Sequence, residues 1–272
     1  TFNADTDVDS SVGGTFSVAS GASVFSGNNA LSITSRDFDL QGLINSGTAT
    51  TTITLAQPNS GNLNQKGQVA IGTALNCGGN DCVMQISGSE LEKITAFNLV
   101  VNNLLGGTYV ENISSANSAN VGELEINSDG ATFWNGSSTF NKLTVNSKDR
   151  IDIRSDLTTL TGDMILNADT DSTGSNTWIN DRIIFFGDRT LTSGGGVTLN
   201  SPTLEIDSRN SLTVLADNGI TVVGNVSSVG DINFNGDTDS SSDGNDKITF
   251  SSGSVIESTT GQITLGSQTG GI

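Results

Sequence analysis

The 272-residue chain carries 29 acidic and 11 basic side chains, a net charge of −18, so nucleic acid and anionic membrane surfaces are poor electrostatic partners. Apolar residues make up 34% and aromatic residues 5%, with 33 Gly against 2 Pro, which is thin for a globular core but sufficient for a narrow coil interior lined by Val, Ile and Leu. No apolar stretch approaches the ~20 residues of a membrane span, so no membrane insertion is expected.

The chain opens on Phe2-Asn3-Ala4-Asp5-Thr6-Asp7. The same pattern returns as Leu166-Asn167-Ala168-Asp169-Thr170-Asp171 and as Phe234-Asn235-Gly236-Asp237-Thr238-Asp239. Each is a strand-like end followed by an acidic turn rich in Ser and Gly, and internal repetition of this kind marks a solenoid. Residues 1 to 56 read as strands and end in the Thr/Ile-rich run Thr48 to Leu55, after which Pro58 to Gly67 is a loop by content. Residues 57–93 thus form an irregular loop and cysteine-hairpin segment within one elongated solenoid spanning 1–272. Its nearest helix candidate, Gly88 to Ile94, is short. Cys77-Gly78-Gly79-Asn80-Asp81-Cys82 can bend enough for the two thiols to meet. A Cys77–Cys82 disulfide is expected, with a reduced pair as the alternative; a metal site is not, because no further Cys and no His exist to complete it. A disulfide would suit an oxidising compartment, outside the cell or on its surface.

From Ile94 onward the repeat is cleanest. The pattern apolar-x-apolar-Asn recurs as Leu99-Val100-Val101-Asn102, Leu124-Glu125-Ile126-Asn127, Leu143-Thr144-Val145-Asn146 and Met164-Ile165-Leu166-Asn167, and apolar positions are expected to continue at Ile184 and Leu204. Coils of about twenty residues with two or three short strands define a parallel β-helix. In Arg150-Ile151-Asp152-Ile153-Arg154, period-two alternation sends the isoleucines inward and the three charges to the solvent face. Glu123, Lys142 and Asp163 should form an outward column of alternating charge. Asn127, Asn146 and Asn167 are expected to stack as a ladder where the chain leaves each strand; the alternative is a set of unconnected turn asparagines.

Segments such as Gly230–Asp239, Lys247–Leu265 and Leu191–Asn200 resemble the repeats of filamentous haemagglutinin-like surface proteins, large secreted β-helical adhesins. The resemblance covers most of residues 94 to 272, residues 1 to 56 less clearly, and not the cysteine region. It implies a right-handed parallel β-helix acting as a rigid extracellular stalk or filament. The secretion domain typical of that family's N-terminus is not among these residues. Thr1 falls inside a strand, so a segment of a longer repetitive chain or assembly is expected, with neighbouring repeats or copies of itself as partners and a host-surface or glycan ligand as a further one.

Two other function classes stay open. Parallel β-helices also carry carbohydrate-active enzymes, whose chemistry needs clustered carboxylates; Asp37 and Asp39 share a face, and Asp149, Asp152 and Asp156 lie near Arg150 and Arg154. No catalytic residue is assigned, and no cofactor is required. Ice or crystal-surface binding would need Thr repeated coil after coil, whereas Thr50-Thr51-Thr52-Ile53-Thr54 stands as a single run. Three Asn-x-Ser triplets, at Asn112, Asn135 and Asn225, are candidate N-glycosylation acceptors. The acidic turns are candidate Ca²⁺ ligands: Asp5, Asp7, Asp9, Asp169, Asp171, Asp237, Asp239 and Asp243, with Asp246 nearby. Alternate acids with intervening carbonyls could supply several of the six to eight oxygens Ca²⁺ takes, although the EF-hand's glycine and closing glutamate are missing. The alternative is a set of solvated turns in which the first Asp bonds its own backbone.

Overall fold

Leu143-Thr144-Val145-Asn146-Ser147 shows how a wall is made: the first, third and fifth side chains are buried and the others half-buried, as the period of two in a strand requires. The computed structural model describes residues 1–4, 14–56, 67–73, 82–171, 181–241 and 245–267. They form a parallel β-solenoid in which every described strand pairing is parallel and joins one coil to the next, in sheets of 19, 6 and 2 strands.

From Leu143 each coil supplies three walls. Leu143–Ser147, Ile151–Ile153 and Leu157–Thr159 make one coil; Met164–Asn167, Ile183–Phe185 and Arg189–Ser193 make the next. In the two coils that follow, Val197–Ser208 and Ile220–Ser228 each run along two walls, with a register shift between Asn200 and Glu205. The first wall is an unbroken ladder of ten strands from Phe2–Asn3 to Ile248–Phe250. Nine spacings of about 4.8 Å make it ~43 Å long. One cluster of buried apolar side chains runs from Phe16 to Ile248.

Inside the corners, hydroxyls satisfy one another. Thr108 and Ser128 approach to 2.6 Å, Thr132 and Ser147 to 2.6 Å, and the Thr159 hydroxyl donates to Ser193 Oγ at 2.9 Å. Such pairs let polar groups sit in a dry interior without an unsatisfied donor.

The pairings Leu99↔Leu124, Leu124↔Leu143 and Leu143↔Met164 follow the repeat read from the sequence. The continuation does not. Met164 pairs with Val197, 33 residues on, and Val197 with Ile220, because residues 168–182 separate two walls that Lys148–Arg150 join in the coil before. Ile184 therefore lies on the second wall and Leu204 at the register shift. Two single helical turns, Gly88–Leu91 and Ser115–Ser118, replace corners. Each begins with a capping box, Ser87 with Glu90 and Ser114 with Asn117, which satisfies the first amides of so short a helix. The second was signalled only by the Ser-x-x-Asn spacing.

The asparagine ladder is present and longer than expected. The side-chain amide of Asn127 donates to Asn102 Oδ1 at 3.0 Å, Asn146 to Asn127 at 2.8 Å, Asn167 to Asn146 at 2.8 Å, and Asn200 to Asn167 at 3.2 Å. Asn102 donates to Thr54 Oγ1 at 3.3 Å and so starts the row. As expected, Asn167 is the last residue of its strand and Asn102, Asn127 and Asn146 lie one residue short of the strand end, whereas Asn200 lies inside Val197–Ser208; what aligns all five is the register of the ladder. In the neighbouring column Lys142 pairs with Glu123 at 3.4 Å, while Asp163 accepts from the Gly196 N–H at 2.9 Å.

Threonines do recur coil after coil, against the reading of a single run. Thr139, Thr158 and Thr192 align on the third wall, Thr190 aligns with Thr213, and Thr198, Thr221 and Thr249 align on the first. Unequal corners hid the register, since 34 residues separate Thr158 from Thr192.

Candidate functional site

The outer face of the second wall gathers most of the chain's arginines. Tyr109, Phe133, Asp152, Ile184 and Asp207 follow one another up a single column. The Tyr109 and Phe133 rings stack with centroids 4.6 Å apart, and the Arg150 guanidinium lies 5.4 Å from the Phe133 centroid. Arg154 and Arg209 approach the Phe186 ring at 4.9 and 5.9 Å. Burial pushes the Tyr109 hydroxyl above its ordinary pKa, an effect that Arg150 and Arg154 oppose by favouring the phenolate.

Asp152 was expected on the solvent face and is instead buried. Its carboxylate accepts from Arg150 Nε at 2.9 Å and from Arg154 at 3.2 Å. The two arginines flank it along the strand, while Phe133 and Ile184 wall it off in the coils below and above. Farther up, Arg182 meets Glu205 at 3.0 Å and Asp207 at 3.6 Å, and Arg209 meets Asp207 at 2.9 Å. Four of the six arginines thus face three carboxylates, a network with one positive charge in excess on an acidic chain.

The acidic turns divide into buried and exposed members. Asp169 and Asp237 are buried, whereas Asp171 and Asp239 are exposed. In these two described turns the alternate carboxylates therefore differ in environment, one enclosed and one in solvent. Asp239 makes the local bond expected of such turns, accepting from the Ser241 N–H at 2.9 Å, and the Asp237 N–H donates to Asn235 Oδ1 at 3.2 Å. Two further acids are enclosed with them, Asp181 and Asp246. The sequence signal for these was a second recurrence, Asp-Arg-Ile-Ile-Phe at 181–185 and Asp-Lys-Ile-Thr-Phe at 246–250. Asp5, Asp7, Asp9 and Asp243 lie outside the described residues. Among the described residues no three His, Cys, Asp or Glu side chains are grouped so as to hold a metal ion.

A groove of about 350 Å³ lies between Asp37, Phe38, Cys82, Gln85 and Glu90. Glu90 is held in the structure on both oxygens: Oε1 accepts from the Leu40 N–H at 2.9 Å, and Oε2 accepts from the Ser87 N–H at 2.8 Å and the Ser87 hydroxyl at 2.7 Å. Asp39 accepts from Gln41 at 2.9 Å and Ser17 at 3.3 Å, and Asp156 from the Thr190 N–H at 2.9 Å. Cys82 lines this groove, and Cys77, its expected partner, lies outside the described residues. Asn112, Asn135 and Asn225 are all exposed. The Asn112 amide donates to Thr73 at 2.9 Å and Asn225 Oδ1 accepts from the Val255 N–H at 2.9 Å.

Comparison with known proteins leaves the reading to the geometry, since no family model, curated protein or solved structure matches the chain.

Proposed function

We propose that this chain is a structural β-solenoid that builds an extracellular fibre, sheath or adhesin stalk, in the manner of filamentous haemagglutinin-like proteins. The observation that carries the reading is the ten-strand ladder of the first wall with its five-asparagine row, a rod stiffened along its axis inside and out. Bending the rod would break several axial hydrogen bonds at once. A neighbouring repeat would pair with strands such as Ile248–Phe250, Ile256–Ser258 and Ile263–Gly266. Because all the described pairings are parallel, such a neighbour would add head to tail, a contact that propagates rather than closes. The net charge of −18 keeps rods apart laterally.

Diffraction from aligned natural material tests this. The reading expects extended filaments with a reflection near 4.8 Å along the fibre axis. A compact monomer with a substrate-filled groove would overturn it.

The Thr columns favour a second reading, ice or crystal-surface binding. They support it weakly, because Leu215 follows Thr192 and Asn233 follows Thr213 in the ladder, and Thr is a good strand former in any case. Purified protein is expected to show no thermal hysteresis; a clear freezing-point gap would favour this second reading.

A further inference from the structure

Two corners of the solenoid are built alike, and each encloses two aspartates. At the first, the Ala168 N–H donates to the Asn200 carbonyl at 2.9 Å and the Ser201 hydroxyl to the Asp181 carbonyl at 3.4 Å. At the second, the Gly236 N–H donates to the Gly266 carbonyl at 2.9 Å and the Ser267 hydroxyl to the Asp246 carbonyl. Thr170 and Thr238 donate back to the preceding coil in the same way, to the carbonyls of Ser147 and Ala216, each at 3.1 Å. The carbonyls of Arg182 and Lys247 accept from Ile151 and Ile220 at 2.9 and 2.8 Å. The four acids are shut from solvent, with exposures of 1% for Asp169, 2% for Asp181, and 0% for Asp237 and Asp246. The first of these bonds occurs once more, from the Ala4 N–H to the Thr34 carbonyl at 2.9 Å.

Asp169 is the telling member of the first corner. Both of its carboxylate oxygens are inaccessible and neither has a hydrogen-bond partner. Its N–H is taken by the Asp149 carbonyl at 3.0 Å, and its φ of 55° puts it in the left-handed region. Lys148 meets Asp129 at 2.7 Å, and Arg182 meets Glu205 and Asp207 through Nη1, while its buried Nε has no hydrogen-bond partner. A buried carboxylate with no hydrogen-bond donor on either oxygen is not a stable arrangement.

We propose that the Asp169–Asp181 corner binds Ca²⁺ through these carboxylates, main-chain carbonyls and water, and that the Asp237–Asp246 corner is a second copy of the site. The donors are all oxygen, and two carboxylates balance one divalent charge. Ca²⁺ accepts six to eight oxygens in irregular geometry, whereas Mg²⁺ demands a near-ideal octahedron. Ions at these places would fasten two long corners of the solenoid, whatever the assembled rod is used for.

Equilibrium dialysis of the chelator-treated full chain against CaCl₂ at about 1 mM, the range of extracellular calcium modules, tests the proposal. The wild type binds calcium, Asp169→Asn and Asp237→Asn each bind one ion fewer per chain, and exposed Asp171→Asn binds as much as wild type. Calcium raises the wild-type melting temperature by linkage, and the rise shrinks in the two variants. Wild type holding no calcium above the buffer level overturns the proposal, as do buried-Asp variants that bind as much as wild type. If Asp169→Asn fails to fold by circular dichroism, the wild-type stoichiometry and Asp181→Asn decide. The filament reading stands or falls separately, by diffraction.

Discussion

The side-chain amide of Asn146 donates to Asn127 Oδ1 at 2.8 Å while its own Oδ1 accepts from Asn167 at 2.8 Å. Asn146 is thus bonded in both directions along the axis, whereas Asn200, at the end of the row, makes one such bond, to Asn167. A net hydrogen bond contributes about 0.5–1.5 kcal/mol. Asn146→Ala should therefore cost about 1–3 kcal/mol and Asn200→Ala roughly half as much. Urea unfolding of both variants checks the ratio; equal losses would mean that the row does not act as a ladder.

Asp152 supplies the second prediction. Removing it takes from Arg150, which is mostly buried, the carboxylate at 2.9 Å, while Arg154 is 48% exposed and can turn to water. Breaking a buried pair costs about 3–5 kcal/mol, and an exposed one much less. Asp152→Ala is expected to cost about 2–3 kcal/mol and Arg154→Ala under about 1 kcal/mol. The comparison is to be made by thermal melting at low and high salt, with only the second loss depending strongly on salt.

How far the chain could be read in advance depends on where its repeat is regular. Asn127, Asn146 and Asn167 were legible because the coils joining them differ little in length. Asn200 was not, because the corner between Asn167 and Asn200 is long and carries it out of phase. The burial of Asp152 had no sequence signature: period two sends it outward correctly, and what covers it comes from arginines beside it and from residues in other coils. The same holds at the acidic turns. Composition announced the acids but not that the first of each described turn would be enclosed and the third exposed.

Tyr109 is the chain's one tyrosine, so phenolate absorbance reads it alone. Its pKa is raised by burial above the ordinary value of about 10. In the unfolded chain the hydroxyl ionises first; the folded chain keeps its proton longer. The stability tied to this group is therefore fully present below about pH 10 and is lost as pH rises through the folded-state value. Tyr109→Phe should flatten that alkaline decline. A native titration midpoint at or below 10 would refute the assignment.

Glu90 separates the structural reading from the enzymatic one. It borders the groove with Asp37, where a carboxylate pair would be sought in a glycosidase. Yet Oε1 fixes the Leu40 N–H, fifty residues away, at 2.9 Å, and Oε2 closes the Ser87 capping box. Hydrogen bonds to a charged group contribute about 1.5–3 kcal/mol, and a buried amide left without its acceptor adds a further cost. Glu90→Ala should therefore lose at least about 2 kcal/mol of stability, and amide exchange should quicken at Leu40 and across Gly88–Leu91. Glu90→Gln keeps an acceptor oxygen and should lose less. Were Glu90 instead a general acid, Glu90→Gln would keep its melting temperature and abolish cleavage of a polysaccharide that the wild type degrades. A substrate panel run beside the melting curves tells the two apart.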